Sequence, residues 1–167
     1  MIQLKLLRRE HMPDVLRIQD YCYTDIEPES FESLEAKILA SPNTCLIAES
    51  SEGAVGYLIA VPILYPYLPA LNSPTFDLSA DADTLYIHDL AVDGAGRGKG
   101  VAQALVRASI DAAKRSGLSR ACLVAIQNSQ SFWEQFRFET IAEPAVEIIP
   151  KIASYGADAK LMRAWLK

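Results

Sequence analysis

The sequence predicts an α/β fold in one domain, residues 1–167. Three observations carry that expectation. A strand-like stretch, a glycine-rich turn and a helix-like stretch follow one another between residues 85 and 116. Apolar periodicity alternates between strand and helix spacing along the whole chain, in the order β-α-α-β-β-β-α-β-α-β-β. Half of the residues are hydrophobic and 22% are charged, enough to bury a sizeable core and too apolar for disorder.

Each element has its local reason. Residues 2–7 alternate apolar side chains with Gln3 and Lys5, as a half-buried strand does. Residues 12–23 read as a helix with Pro13 near its start and Val15, Leu16 and Ile18 inward. Residues 25–29, with Pro28, form a polar break. Ser30 is a good N-cap for a second helix over 31–39, with Phe31, Leu34 and Ile38 on one stripe. Ser41-Pro42-Asn43 ends it. Residues 44–48 and 55–61 read as a hairpin closed across 49–53. Residues 62–84 then hold Pro62, Pro66, Pro69 and Pro74 with Tyr65, Tyr67, Phe76, Asp77, Asp81 and Asp83. A loop this long in a small domain is expected to serve a purpose, here on the substrate side. A strand over 85–92 and a helix over 101–116 follow. Residues 120–126 form another strand, residues 128–131 cap a short helix through Phe136, and residues 138–141 return to the sheet. Residues 146–149 are expected to extend it, and 160–166 to complete it.

Composition narrows the function classes. The net charge is −5, and no basic cluster exceeds pairs such as Arg8-Arg9, which disfavours nucleic acid. An acidic protein suits a cationic substrate such as an amine. Cys22, Cys45 and Cys122 show neither metal spacing nor a disulfide framework, so a reducing, cytoplasmic setting without metal is expected. Charges interrupt the N-terminal apolar residues, unlike a signal peptide. The longest apolar stretch, 54–64, is too short to span a membrane, so no membrane partner is expected. A homodimer is left open.

Residues 85–106, LYIHDLAVDGAGRGKGVAQALV, hold four of the eight glycines. Strand, glycine turn and helix in that order present unpaired N–H groups and a partial positive charge to an anion. A P-loop is excluded because Gly100, not Ser or Thr, follows Lys99. A dinucleotide fingerprint fails because Lys99 or Val101 stands where the third glycine belongs.

Arg97-Gly98-Lys99-Gly100-Val101-Ala102 instead fits R/Q-x-x-G-x-G/A. With His88-Asp89-Leu90-Ala91-Val92 before it, the stretch resembles the acyl-CoA loop of the GCN5-related N-acetyltransferases. The order of elements is also similar to that family's. The resemblance implies a mixed, twisted sheet flanked by helices and splayed between strands 85–92 and 120–126. It implies acetyl-CoA as cosubstrate and transfer of its acetyl group, by direct attack in a ternary complex, to a primary amine of a small molecule or peptide. Residues Arg97, Gly98, Lys99, Gly100, Val101 and Ala102 would hold the pyrophosphate. Leu90, Ala91 and Val92 would meet the pantetheine arm through their backbones. Asn128 would lie against the same arm, and Trp133 would pack under the acyl-CoA.

Such a transfer needs a base for the amine, a donor for the carbonyl oxygen and an acid for the sulfur. His88 resembles the strand histidine of the arylalkylamine branch and titrates near neutrality, so it is the candidate base. Strand alternation puts Tyr86, His88, Leu90 and Val92 on one face and Ile87, Asp89 and Ala91 on the other. Asp89 is the competing candidate base, and from the opposite face it is expected to make a structural hydrogen bond. Many relatives carry an acidic tyrosine in F-Y-x-x-x-G-F; here 132–138 read FWEQFRF, so Trp133 replaces it and Arg137 replaces the glycine. Indole N–H is no useful acid. Tyr155 is the substitute considered for that role. The missing tyrosine also permits an acyl-CoA-binding module without catalysis.

Overall fold

The computed structural model describes all residues from Met1 to Lys167. Seven strands form one sheet in the order β1-β2-β3-β4-β5-β7-β6. Their ranges are β1 Gln3–Leu6, β2 Leu46–Ser50, β3 Gly53–Ile63, β4 Thr84–Val92, β5 Arg120–Ala125, β6 Glu139–Thr140 and β7 Lys160–Trp165. The helices are α1 Met12–Cys22, α2 Phe31–Ala40, α3 Val101–Arg115, α4 Gln130–Glu134 and α5 Ile149–Ala153. β4 and β5 pair in parallel and all other neighbours antiparallel, so the sheet is mixed.

The apolar stripes read from the sequence decide the layers. Met12, Val15 and Ile18 of α1 and Leu34 and Ile38 of α2 bury against Ile47, Tyr57, Ile59 and Ala91 on one face. Leu105 and Val106 of α3 and Trp133 of α4 pack on the other, against Leu58, Leu85, Ile87 and Leu123. Ser30 caps α2 by accepting the Ser33 N–H at 3.2 Å.

β3 runs past its expected end at 61, through Pro62 to Ile63. β2 pairs with β3 only as far as Leu58, so Pro62 faces an open edge where its missing N–H breaks no ladder. The long 62–84 segment packs onto the sheet through Leu68, which shares a cluster with Val61, Tyr86, Ile148 and Leu161. Residues 146–149 do not extend the sheet. They form a 3-10 turn, Val146–Ile148, leading into α5, because Ile148 inserts into that cluster and Pro150, at the start of α5, has no N–H to offer a strand.

One irregularity shapes the site. β3 and β4 shift register so that Ile59 pairs with Asp89 while Ala60 pairs with Ile87, leaving His88 as the extra residue of a β-bulge. The alternation therefore slips by one. Leu85, Ile87, Leu90 and Val92 face α3, whereas Tyr86 and Ala91 face away from it. The division of His88 from Asp89 onto opposite faces is thus overturned: both turn toward the α1–α2 side, as their hydrogen-bond partners below show. β4 and β5 pair from Thr84 with Arg120 to Ile87 with Leu123 and no further, so the two strands part at the bulge.

Candidate active site

The glycine loop is built from Asp93. Its Oδ1 accepts from the N–H groups of Ala95 (2.9 Å) and Gly96 (3.2 Å), and its Oδ2 accepts from Arg17 at 3.1 Å. Gly96 is required for space: a Cβ there would lie 2.8 Å from Val92 and 3.0 Å from the Val55 carbonyl. Gly98 and Gly100 both have φ of 73°, in the left-handed region, and their exposed faces are open. The N–H groups from Gly98 to Gln103 donate to no group of the chain, and all of these residues but Lys99 line a cavity of about 330 Å³ at the start of α3. That donor set fits a pyrophosphate. Arg97, Gly98, Gly100, Val101 and Ala102 line the cavity; Lys99 is exposed beside it. Arg97 folds back, its guanidinium 5.5 Å from the Tyr21 ring centre and its Nε donating to the Val92 carbonyl at 3.3 Å.

A second cavity, about 180 Å³, opens where β4 leaves β5. Leu90 and Val92 turn their peptide groups toward this gap, since Tyr23 donates to the Leu90 carbonyl at 2.7 Å and the Cys22 thiol to that of Val92 at 3.3 Å. Ala91 is buried among α1 and α2 and pairs with Tyr57 of β3. Trp133 and Phe132 form one wall of the cleft, their rings edge to face. Asn128 is exposed, in a left-handed conformation, and does not line the cleft; its neighbours Gln127 and Ser129 do.

His88 is almost fully buried, its side chain 1% exposed. Its Nε2 donates to Oε1 of Glu29 in a short contact, which turns Nδ1 toward the Tyr155 hydroxyl, 3.5 Å away. Tyr155 in turn meets Tyr86, oxygen to oxygen, at 3.0 Å. Burial pushes both phenols above their ordinary range, so they are neutral hydroxyls. The structure thus brings the two residues expected to carry the chemistry, His88 and Tyr155, into one relay.

The sequence reading missed the residues that hold the relay. Gln19 clamps the Glu29 backbone, accepting its N–H at 3.0 Å and donating to its carbonyl at 3.2 Å. Ser33 donates to Glu29 Oε2 at 2.8 Å, and Lys37, its side chain wholly buried, lies 3.6 Å from the same oxygen. Burial alone would raise the Glu29 pKa. The His88 hydrogen bond and charge, with Lys37 and Ser33, outweigh it and bring the carboxyl down to about 2. One signal was legible: Glu29, Ser33 and Lys37 recur at intervals of four, placing a lysine on the apolar side of α2. Nothing local tells Glu29 that it reaches a strand 59 residues away. Asp89 accepts from Tyr57 at 2.6 Å and meets Tyr23 at 2.8 Å.

Known proteins share this architecture. Ard1 from Thermoplasma volcanium superposes with a TM-score of 0.74 at 14% identity, over 99% of this chain and 98% of that one. A chain of the NatC complex bound to Gag peptide and CoA gives 0.72 at 20% identity, over 99% of both. The ribosomal-protein-S18-alanine N-acetyltransferase of Escherichia coli gives 0.68 at 14%, over 100% and 95%. No curated protein matches by sequence. These likenesses establish the fold. The profile of the Acetyltransferase (GNAT) family matches residues 11–138, from α1 through the glycine loop to the end of the FWEQFRF segment, and the chain belongs to that family.

Proposed function

We propose that the protein is an N-acetyltransferase that moves the acetyl group of acetyl-CoA to a primary amine by direct attack in a ternary complex. One observation carries the reading: the anion cradle and the cavity that holds the His88 relay lie along one strand, β4, beyond the bulge at which it parts from β5. The N–H groups of Gly98–Gln103 take the pyrophosphate, and the edge of β4 at Val92 and Leu90, beyond its pairing with β5, pairs with the pantetheine arm. The thioester then lies near Leu90 and His88. A neutral amine is needed for attack; His88 Nδ1, reached directly or through the Tyr155 hydroxyl, takes its proton while Glu29 steadies the imidazolium. The cleft excludes water on its apolar walls and fixes the reacting groups, which supplies much of the acceleration.

The charge pattern narrows the amine. Glu27 and Glu29 line the cleft, and no Arg or Lys does. An ammonium is attracted there, whereas a carboxylate next to the amine would have no partner. Ile26, Leu71 and Phe132 offer apolar contact beside it. The acceptor is therefore an amine of a small molecule or peptide without an adjacent carboxylate. The three cysteines are all free, in keeping with the reducing, cytoplasmic setting proposed for the protein.

Free-thiol release from acetyl-CoA tests this across phenethylamine, phenylalanine and peptide N-termini. Release with phenethylamine and not with phenylalanine is expected. Thermal stabilisation by CoA without turnover on any amine would leave only a binding module. A larger stabilisation by ATP or NAD at matched concentration would overturn the ligand itself.

A further inference from the structure

Trp133 leaves α4 without an acid for the departing sulfur. We propose that Asp89 carries a proton and delivers it, through the Tyr23 hydroxyl, to the thiolate of CoA; this rests on the acetyl-transfer reading above.

The argument is a count of hydrogens. Tyr23 Oη lies 2.8 Å from Asp89 Oδ1 and 2.7 Å from the Leu90 carbonyl oxygen. Tyr57 Oη lies 2.6 Å from Asp89 Oδ2. All three are ordinary O–H···O separations, and each needs one hydrogen. The two phenols supply two, and the peptide carbonyl supplies none. With Asp89 ionised, one close oxygen pair would face lone pair to lone pair. A proton on Oδ1 completes the set: Asp89 donates to Tyr23, Tyr23 to the Leu90 carbonyl, and Tyr57 to Oδ2.

The surroundings agree. Tyr23 and Cys22 approach from the end of α1, Glu29 from just before α2 and Lys37 from its last turn, Tyr57 from β3, and His88 and Tyr155 from the cleft side. The two basic side chains nearby, His88 and Lys37, both turn to Glu29, and neither bonds to Asp89. Burial raises the Asp89 carboxyl, the nearby Glu29 adds to it, and His88 and the two tyrosines oppose it without cancelling it.

Position makes the proton useful. An arm held at Gly98–Gln103 and running back along Val92 and Leu90 ends beside Tyr23. When the amine nitrogen bonds to the carbonyl carbon, its proton passes to His88. When the C–S bond breaks, the sulfur keeps the electron pair and takes the Tyr23 hydrogen. Tyr23 takes the Asp89 proton, and the carboxylate left behind accepts from Tyr23 and Tyr57. Return of the His88 proton to Asp89 through cleft water restores the start. Tyr23 touches the leaving group; Asp89 acts through it.

Infrared spectroscopy of the full chain labelled with [4-13C]aspartate reads the proton directly. A protonated-carboxyl band that shifts with the label and disappears in Asp89→Asn is expected. The amide of Asp89→Asn can donate to Tyr23 in the same place, so the fold and stabilisation by CoA should persist; if that variant does not fold, the labelled wild type alone decides. With phenethylamine as acceptor, Asp89→Asn and Tyr23→Phe should each lower kcat about 10²-fold with little change in KM for acetyl-CoA. The high-pH limb of kcat should vanish in Asp89→Asn. Absence of the band overturns the proton assignment. An unchanged kcat and high-pH limb in Tyr23→Phe overturns the acid role. A wild type that shows the band but turns over no amine refutes acetyl transfer, and the acid role with it, while the proton on Asp89 stands.

Discussion

Glu29 keeps its charge in a buried place because His88, Ser33 and Lys37 converge on it. Its folded pKa, about 2, lies below the ordinary 4.5, so folding favours the ionised form. That contribution is fully present above about pH 5 and disappears as pH falls from there toward 2. A shift of this size corresponds to about 3 kcal/mol. Glu29→Gln should flatten the acid limb of Tm against pH, and it should also leave the Lys37 ammonium buried without a counter-ion, a loss of about 3–5 kcal/mol. Adding Lys37→Met should recover most of the melting temperature but not the turnover, because His88 still lacks its carboxylate. A double variant that regains both would reduce Glu29 to a structural role. His88→Gln should lower kcat/KM about 10²-fold, move the low-pH limb of the rate profile and leave CoA stabilisation unchanged. An unmoved profile would remove His88 from the proton path.

At the scale of elements, the glycine loop combines two requirements that substitution can separate. Gly100 adopts φ of 73° with open space where a Cβ would go. Gly100→Ala therefore pays only the left-handed backbone penalty, about 1–2 kcal/mol, and should still be stabilised by CoA. Gly100→Glu carries the same penalty and adds a negative charge at the start of α3, where the N–H groups of Gly98–Gln103 point. It should fold like the alanine variant and lose CoA stabilisation in a thermal-shift titration. Equal CoA response in the two variants would place the anion elsewhere. Gly96→Ala is different in kind, because its Cβ would meet the Val55 backbone as well as the Val92 side chain, so it should destabilise the protein with or without ligand.

Across the whole molecule, the sheet is joined in its middle by a short parallel pairing, Thr84–Ile87 against Arg120–Leu123. Arg120 fastens its lower end, bonding Asp83 at 2.8 Å and Thr84 at 2.9 Å and lying over the Tyr65 ring. Above the bulge nothing in the chain bridges the two halves through the sheet. A bound pantetheine arm would act there as an added strand. Hydrogen exchange should show CoA slowing the Leu90 and Val92 amides and those of Gly98–Gln103. The amides of Thr84–Ile87, already inside the sheet, should change little. Protection confined to the loop would mean that the arm does not enter the gap.

The local patterns of this sequence were sufficient for the α/β class, for nearly every element and for the glycine turn that leads into α3. Helix stripes, Ser30 and the glycines act over a few residues, so their consequences are visible in the chain itself. The expected strand at 146–149 failed because its apolar run fits a buried turn as well as a strand, and only the cluster around Ile148 decides between them. The parity of His88 and Asp89 failed because a bulge is a property of two strands in register, not of one. Motif and residue type were enough to single out Arg97, Gly98, Gly100, Val101 and Ala102, which line one cavity, and His88 and Tyr155, which line the other. Glu29, Lys37, Tyr23 and Tyr57 were not, because each acts on a partner brought near by the packing of α1 and α2 on β3 and β4. What the sequence determined by itself is the order of elements and the glycine turn that opens α3; which carboxylates are buried, and which groups they meet there, was decided by tertiary structure, since burial and shared hydrogens exist only once distant segments meet.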